Sequence, residues 1–101
     1  MIHNVQKYLA DIIRLCIKYE VKTMYLFGSA ATANFNEDSD IDILISFKDI
    51  PFDRYSNNYF NLHAELEHLF GRKVDLVTER SLSNPYFIKS IEKTKELLYA
   101  A

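Results

Sequence analysis

The chain holds one cysteine, Cys16, in 101 residues. No internal disulfide is therefore available, and a reducing cytoplasm is the simplest expected setting. No Cys/His cluster offers the ligands of a structural zinc site either. An excess of one charge is also missing, since 12 Lys and Arg stand against 14 Asp and Glu, a formal net charge of −2. A long nucleic acid is gripped through a basic surface that displaces its counterions, so a large DNA or RNA footprint is not expected. No apolar run approaches the ~18 residues that cross a bilayer, so no membrane partner is expected. Residues 1–8 lack the basic-then-apolar order of a secretory signal. Repeats, linkers and low-complexity stretches are absent as well. What remains, 49% hydrophobic and 26% charged, is the composition of one globular domain spanning 1–101, large enough for one core and too small for two.

Apolar residues Val5, Leu9, Ile12, Ile13 and Cys16 recur at spacings of three and four, which predicts an amphipathic helix over 5–19. "KTMYLF" (22–27), closed by Gly28, reads as a buried strand. The small residues after it suit a short helix with Ser29 at its start. "NFNEDS" (34–39) is rich in turn formers and reads as a loop, and "DIDILISF" (40–47) as a second strand. A second helix is expected over 55–70, where Tyr59, Leu62, Leu66, Leu69 and Phe70 share one face and Gly71 stands in the helix-terminating position. "KVDLVT" (73–78) alternates with period two and predicts a third strand. Beyond Pro85, residues 87–98 carry a last helical pattern through Ile88 and Ile91. Alternating helices and strands imply an α/β domain with a small sheet backed by helices.

Residues two apart on a strand face the same way, so Asp40 and Asp42 share one face while Ile41, Ile43 and Ile45 share the other. Two adjacent carboxylates repel, and ionising both is costly without compensation. A divalent cation offsets that cost, and hard oxygen ligands suit Mg²⁺ or Mn²⁺. Asp75 is the third candidate, because Val74 and Leu76 on either side of it suit the core. If its strand lies beside the second, three carboxylates converge, an arrangement able to hold two metal ions. An isolated D-x-D is more often the solvent face of an edge strand than a site, and Glu37, Asp38 and Asp53 read as solvated loop charges.

Gly28 follows a strand and precedes a short helix, where a glycine lets the backbone pass close to a ligand and the following N–H groups can face an anion. The Ser29 hydroxyl adds a donor for a phosphate oxygen. Taken together, "LFGS", ten intervening residues, "DID" and then "GRKVDLV" resemble the minimal nucleotidyltransferases of the DNA polymerase beta-like superfamily. The resemblance covers nearly the whole chain, through the final "SIEKTKELLYA". It implies the polymerase beta-like fold of that superfamily, an α/β (α+β) domain with a small mixed sheet of three to four strands. It also implies a Mg²⁺-dependent transfer of a nucleoside monophosphate, AMP foremost, from an NTP such as ATP to a protein or small-molecule hydroxyl. Carried over by position, Gly28 and Ser29 hold the triphosphate. Asp40 and Asp42 ligate two Mg²⁺ ions (or Mn²⁺), and Asp75 is the third ligand and the base for the acceptor.

Relatives of this size accompany a small helical HEPN-domain protein, often a ribonuclease toxin, so the resemblance also implies an antitoxin role. The competing expectation is a catalytically weak or inactive subunit that neutralises such a partner by binding it. Self-association into a homo-oligomer stays open. One departure stands out. Relatives often carry Arg-Ala-Arg-Gly after Gly-Ser, whereas this chain has Ala30, Ala31, Thr32 and Ala33. Each lost charge-assisted contact to phosphate is worth ~1.5–3 kcal/mol, and Lys22, Lys48, Arg72 and Lys73 are candidate substitutes that the sequence does not rank. His63 reads as a partly buried helix residue rather than a ligand. Cys16 reads as inert, and "DRYSNNYF" (53–60) carries more exposed-looking aromatics than packing requires.

Overall fold

The computed structural model describes residues 6–31 and 40–101, with the side chains of Ser29 and Ala30 outside the description. Strand β1 (Val21–Phe27) follows helix α1 (Leu9–Lys18) and ends in a 3-10 turn, Gly28–Ala31. Strand β2 (Ile41–Phe47), helix α2 (Phe52–Phe70) and strand β3 (Val74–Thr78) come next, then a 3-10 turn (Glu79–Ser81), helix α3 (Pro85–Thr94) and strand β4 (Glu96–Ala100). The sheet order is β3-β2-β1-β4. β1 pairs antiparallel with β2 and with β4, while β2 and β3 run parallel. A parallel pair needs a long crossover, and α2 supplies it. No helix among the described residues is long and apolar enough to cross a membrane.

The two faces of the sheet are covered unequally. On one face, Met24, Leu26, Ile41, Ile43, Ile45, Val74, Leu76 and Leu98 pack with Ile12, Leu15 and Cys16 of α1 and with Leu62 and Leu66 of α2. Each large aliphatic side chain taken out of water there contributes roughly 1.5–3 kcal/mol. On the other face a smaller cluster of Phe27, Leu44 and Ile91, joined by Tyr25, Val77 and Leu82, seats α3. Within that cluster Phe27 lies directly across the β1–β2 ladder from Asp42, and Phe87 of α3 lines the same cavity as Asp42 and Asp75.

Local signals account for most boundaries. Gly71 closes α2 in the left-handed conformation (φ 65°), and its N–H donates to Glu67 O, as the terminating glycine predicts. Helix α2 begins at Phe52 rather than Tyr55, because Pro51, with φ −60°, already suits the residue before a helix. Helix α1 is shorter than the expected 5–19, and residues 1–5 and the loop expected over 34–39 lie outside the described residues. The last helix is the substantive correction. It starts at Pro85, capped by Asn84 Oδ1, which accepts from the N–H groups of Tyr86 at 2.9 Å and Phe87 at 3.4 Å. It ends at Thr94 instead of running to Leu98, and Glu96–Ala100 is a fourth strand. "ELLYA" is a helix-compatible string, but pairing with β1 puts Leu98 (6% exposed) into the main core. Tertiary pairing overrides local propensity there.

Candidate active site

The parallel register of β2 and β3 sets Asp42 directly opposite Asp75, between the pairs Ile41↔Val74 and Ile43↔Leu76. Those four flanking residues are 0–6% exposed and face the main core, so alternation sends both carboxylates to the opposite face. Neighbouring strands lie ~4.8 Å apart, and at that spacing two ionised carboxylates cannot ignore each other. The Asp42 carboxyl is pushed up to about 6, first by burial, then by the charge of Asp75, the hydrogen bond to Asp75, and the charge of Asp40.

Gly28 brings the end of β1 against this pair. Its φ is +66°, and a Cβ at this position would lie 2.4 Å from Asp42 Oδ2. Both facts demand glycine: the left-handed conformation, and the absence of a side chain where the carboxylate sits. The Gly28 N–H is spoken for, donating to Thr94 Oγ1 at 3.1 Å. An anion at this corner would therefore have to be met by later N–H groups of the turn, and the Ser29 side chain lies outside the description. Ser29 follows Gly28 on the same 3-10 turn.

Asp40 stands just before β2, and its side chain is 43% exposed. Its Oδ2 lies 3.8 Å from Lys73 Nζ. Its charge reaches Asp42, but among the described residues no three His, Cys, Asp or Glu side chains close up enough to enclose a metal ion. The structure thus brings together Asp42, Asp75 and the Gly28 corner, and draws Asp40 toward a lysine. It also separates the basic residues that the sequence leaves unranked. Lys73 lines a cavity of about 390 Å³ together with Asp42 and Asp75. Lys22 lines a different cavity of about 430 Å³ with Tyr25, Ser46 and Lys95.

Several residues at the acid-lined cavity are not singled out by the sequence. Phe27 and Phe87 stand at its wall, edge to face with ring centroids 6.1 Å apart. Tyr59, His63 and Glu67 reach it from α2. The Tyr59 phenol is pushed up by burial first, then by Tyr55 and Asp75. On sequence alone Tyr59 belongs to the apolar face and His63 is a partly buried helix residue. The spacing 59, 63, 67 is the signal that joins them, because i, i+4 and i+8 form one stripe on a helix.

The donor set suits a hard divalent cation. Asp42, Asp75 and Asp40 offer carboxylate oxygens only, and the Asp42 pKa, raised first by burial and then by the charges of Asp75 and Asp40, reflects a cost of ionisation that a bound cation would offset. The chain belongs to the polymerase beta nucleotidyltransferase family: the model described as "Polymerase beta, Nucleotidyltransferase" matches residues 10–101. It is 45% identical over 82 residues to "Putative protein adenylyltransferase MJ1379" of Methanocaldococcus jannaschii, covering 81% of this chain and 79% of that one. Its fold matches a chain of a "toxin-antitoxin with AMP-PNP" crystal structure with a TM-score of 0.72 at 25% identity, over 92% of this chain and 73% of that one. It likewise matches a chain of the "tri-AMPylated Shewanella oneidensis HEPN toxin in complex with MNT antitoxin", with a TM-score of 0.67 at 24% identity, over 95% and 72% of the two chains. That last likeness speaks to the fold alone.

Proposed function

We propose that the chain is a protein adenylyltransferase that moves AMP from ATP to a hydroxyl of a small helical HEPN-type partner, as the antitoxin of a toxin–antitoxin pair in the cytoplasm. One observation carries the reading: Asp42 and Asp75 face each other across parallel strands beside the Gly28 corner. In this reading Asp40, Asp42 and Asp75 hold two divalent ions, Mg²⁺ first, and the Gly28-Ser29 corner receives the triphosphate. Bound there, Mg²⁺ neutralises phosphate charge and raises the acidity of the attacking hydroxyl. Asp75, exposed on an edge strand, is the acid an acceptor from solution meets first. Its carboxylate takes the acceptor proton as the acceptor oxygen bonds to the α-phosphorus and the bond to the bridging oxygen of pyrophosphate breaks. Lys73 is the cation at the acids that best replaces the missing arginines. A lysine is a point charge without the guanidinium fork, so triphosphate binding weaker than in arginine-bearing relatives follows.

The test is incubation with labelled ATP, Mg²⁺ and the purified HEPN-type protein, comparing the wild type with Asp40→Ala/Asp42→Ala. Label on the partner that vanishes in the double variant is the expected outcome. The run Ala30, Ala31, Thr32, Ala33 favours a second reading, in which the chain neutralises its partner by binding alone. A partner that stays unlabelled yet tightly bound to both proteins would establish that reading and end the catalytic one.

A further inference from the structure

Among the described residues, strand β3 has a neighbouring strand on one side only, because it is an edge of the sheet. It is five residues long, and its acid Asp75 is exposed. A short edge strand is the part of a sheet that frays first and that offers unpaired N–H and C=O groups to solvent. A catalytic acid placed on it would wander relative to Asp42 unless something else held the strand. In a ladder, alternate residues point their backbone groups to opposite edges. Lys73 O faces β2, accepting from the Ile41 N–H at 3.1 Å. Val74 and Leu76 accordingly present their backbone groups on the outer edge.

Those outer groups are taken by one stripe of α2. Tyr59 Oη donates to Leu76 O at 2.6 Å. His63 Nε2 lies 2.7 Å from Val74 O. A carbonyl can only accept, so Nε2 carries the proton and the ring is fixed in that tautomer. Glu67 Oε2 accepts the Val74 N–H at 3.0 Å and lies 3.6 Å from His63 Nε2. Three side chains, each one turn further along α2, thus bond the residues immediately before and after Asp75. They stand in for the strand that the sheet edge lacks.

We propose that Tyr59, His63 and Glu67 are positioning residues that hold β3 in register and so fix the Asp75 carboxylate beside Asp42. The proposal rests on the adenylyltransferase reading for its consequence in turnover, and on hydrogen bonding alone for its consequence in the strand. It separates itself from plain edge protection by what it leaves untouched: the Gly28-Ser29 corner belongs to β1 and its turn, so ATP binding there does not depend on the stripe.

The experiment uses the full chain with His63→Leu, which removes the donor, and His63→Gln, which returns an N–H at similar reach. Native-state hydrogen exchange at the Val74 and Asp75 amides, Mn²⁺ affinity by titration calorimetry, and the kcat and KM for ATP are measured on each. In His63→Leu the Val74 amide is expected to exchange at least tenfold faster. Mn²⁺ is expected to bind about tenfold more weakly, and kcat to fall about tenfold with KM for ATP unchanged. His63→Gln should recover most of each loss. If exchange accelerates while Mn²⁺ affinity and kcat stay at wild-type values, the stripe merely seals an edge and the proposal is wrong. Unchanged exchange in His63→Leu would overturn it as well. If the wild type transfers no label, the adenylyltransferase reading fails by itself. The exchange and Mn²⁺ measurements then decide the positioning claim, with undiminished Mn²⁺ affinity in His63→Leu counting against it. Tyr59→Phe, which keeps the ring and loses the Leu76 bond, is the second variant should His63→Leu not fold, and the same outcomes apply to it.

Discussion

Replacing Asp42 with asparagine should stabilise the protein when no divalent cation is present. The Asp42 carboxyl titrates at about 6 in the folded chain against an ordinary 3.8. Each unit of such a difference is worth ~1.4 kcal/mol, so the ceiling is about 3 kcal/mol. Water around the exposed Asp75 screens part of the repulsion, and ~1–2 kcal/mol is the working figure. The sign follows from linkage. A carboxyl whose folded pKa is raised contributes its full share of stability below the unfolded value, where both states hold the proton. That share is lost as the pH climbs through about 6, because the folded state must then ionise a partly buried carboxyl, and do so against the charges of Asp75 and Asp40. Asparagine carries no charge to lose, and its amide N–H can still donate to Asp75. The two proteins should therefore melt alike near pH 4 and diverge by neutral pH.

For a domain of this size ~1–2 kcal/mol corresponds to roughly 5–10 °C in melting temperature. The assay is thermal unfolding in EDTA at pH 4 and pH 7.5, followed by circular dichroism or calorimetry. An Asp42→Asn protein melting at or below the wild type at pH 7.5 would refute the placement of Asp42 in a partly buried site among like charges. An equal gain at both pH values would refute it too, since a charge effect must vanish where the charge does. Millimolar Mg²⁺ should then raise the wild type more than Asp42→Asn, because only the wild type presents the full set of carboxylates.

The remaining predictions concern the two glycines and the cysteine. Gly28→Ala and Gly71→Ala both force alanine into a left-handed conformation at ~1–2 kcal/mol. Gly71 has nothing within 4 Å of an added Cβ, whereas at Gly28 that Cβ meets Asp42 Oδ2 at 2.4 Å. Urea unfolding should show Gly28→Ala the worse by a further ~1–3 kcal/mol, with label transfer abolished only in that variant; equal losses would mean that the corner does not press on Asp42. Burial pushes the Cys16 thiol up to about 12, with its Sγ 3.8 Å from Met24 Sδ. Cys16 should thus ignore a thiol reagent at pH 8 in the folded protein and react stoichiometrically in denaturant. Prompt labelling of the native state would contradict its place in the core.

Strand interiors and helix faces are legible because they carry their period on the surface of the sequence. Ile41, Ile43 and Ile45 announce a buried face, and the same alternation puts Asp42 on the other. Gly71 announces the end of α2 without reference to anything distant. The fourth strand is not legible for the opposite reason. "ELLYA" keeps an apolar pattern that a helix would accept, and only the vacant edge of β1 makes it a strand. What decides between the two is the rest of the fold, not the segment.

The candidate site divides in the same way. That Asp42 and Asp75 meet can be argued from sequence only on the condition that β2 and β3 are neighbours, since nothing within either strand encodes its partner. The condition is met by the helix between them: nineteen residues of α2 carry the chain back to start a parallel strand. The same helix then turns its Tyr59, His63 and Glu67 stripe to the open edge of that strand. Each of those residues has an ordinary reading in isolation, as an apolar-face aromatic, a half-buried histidine or a surface acid. Their common function exists only after α2 has been laid alongside β3. The element that makes the parallel pairing possible is therefore also the one that steadies its outer strand. An acid on the edge of a sheet can reach an incoming acceptor and still keep its distance to Asp42, because access and rigidity come from opposite sides of the same strand.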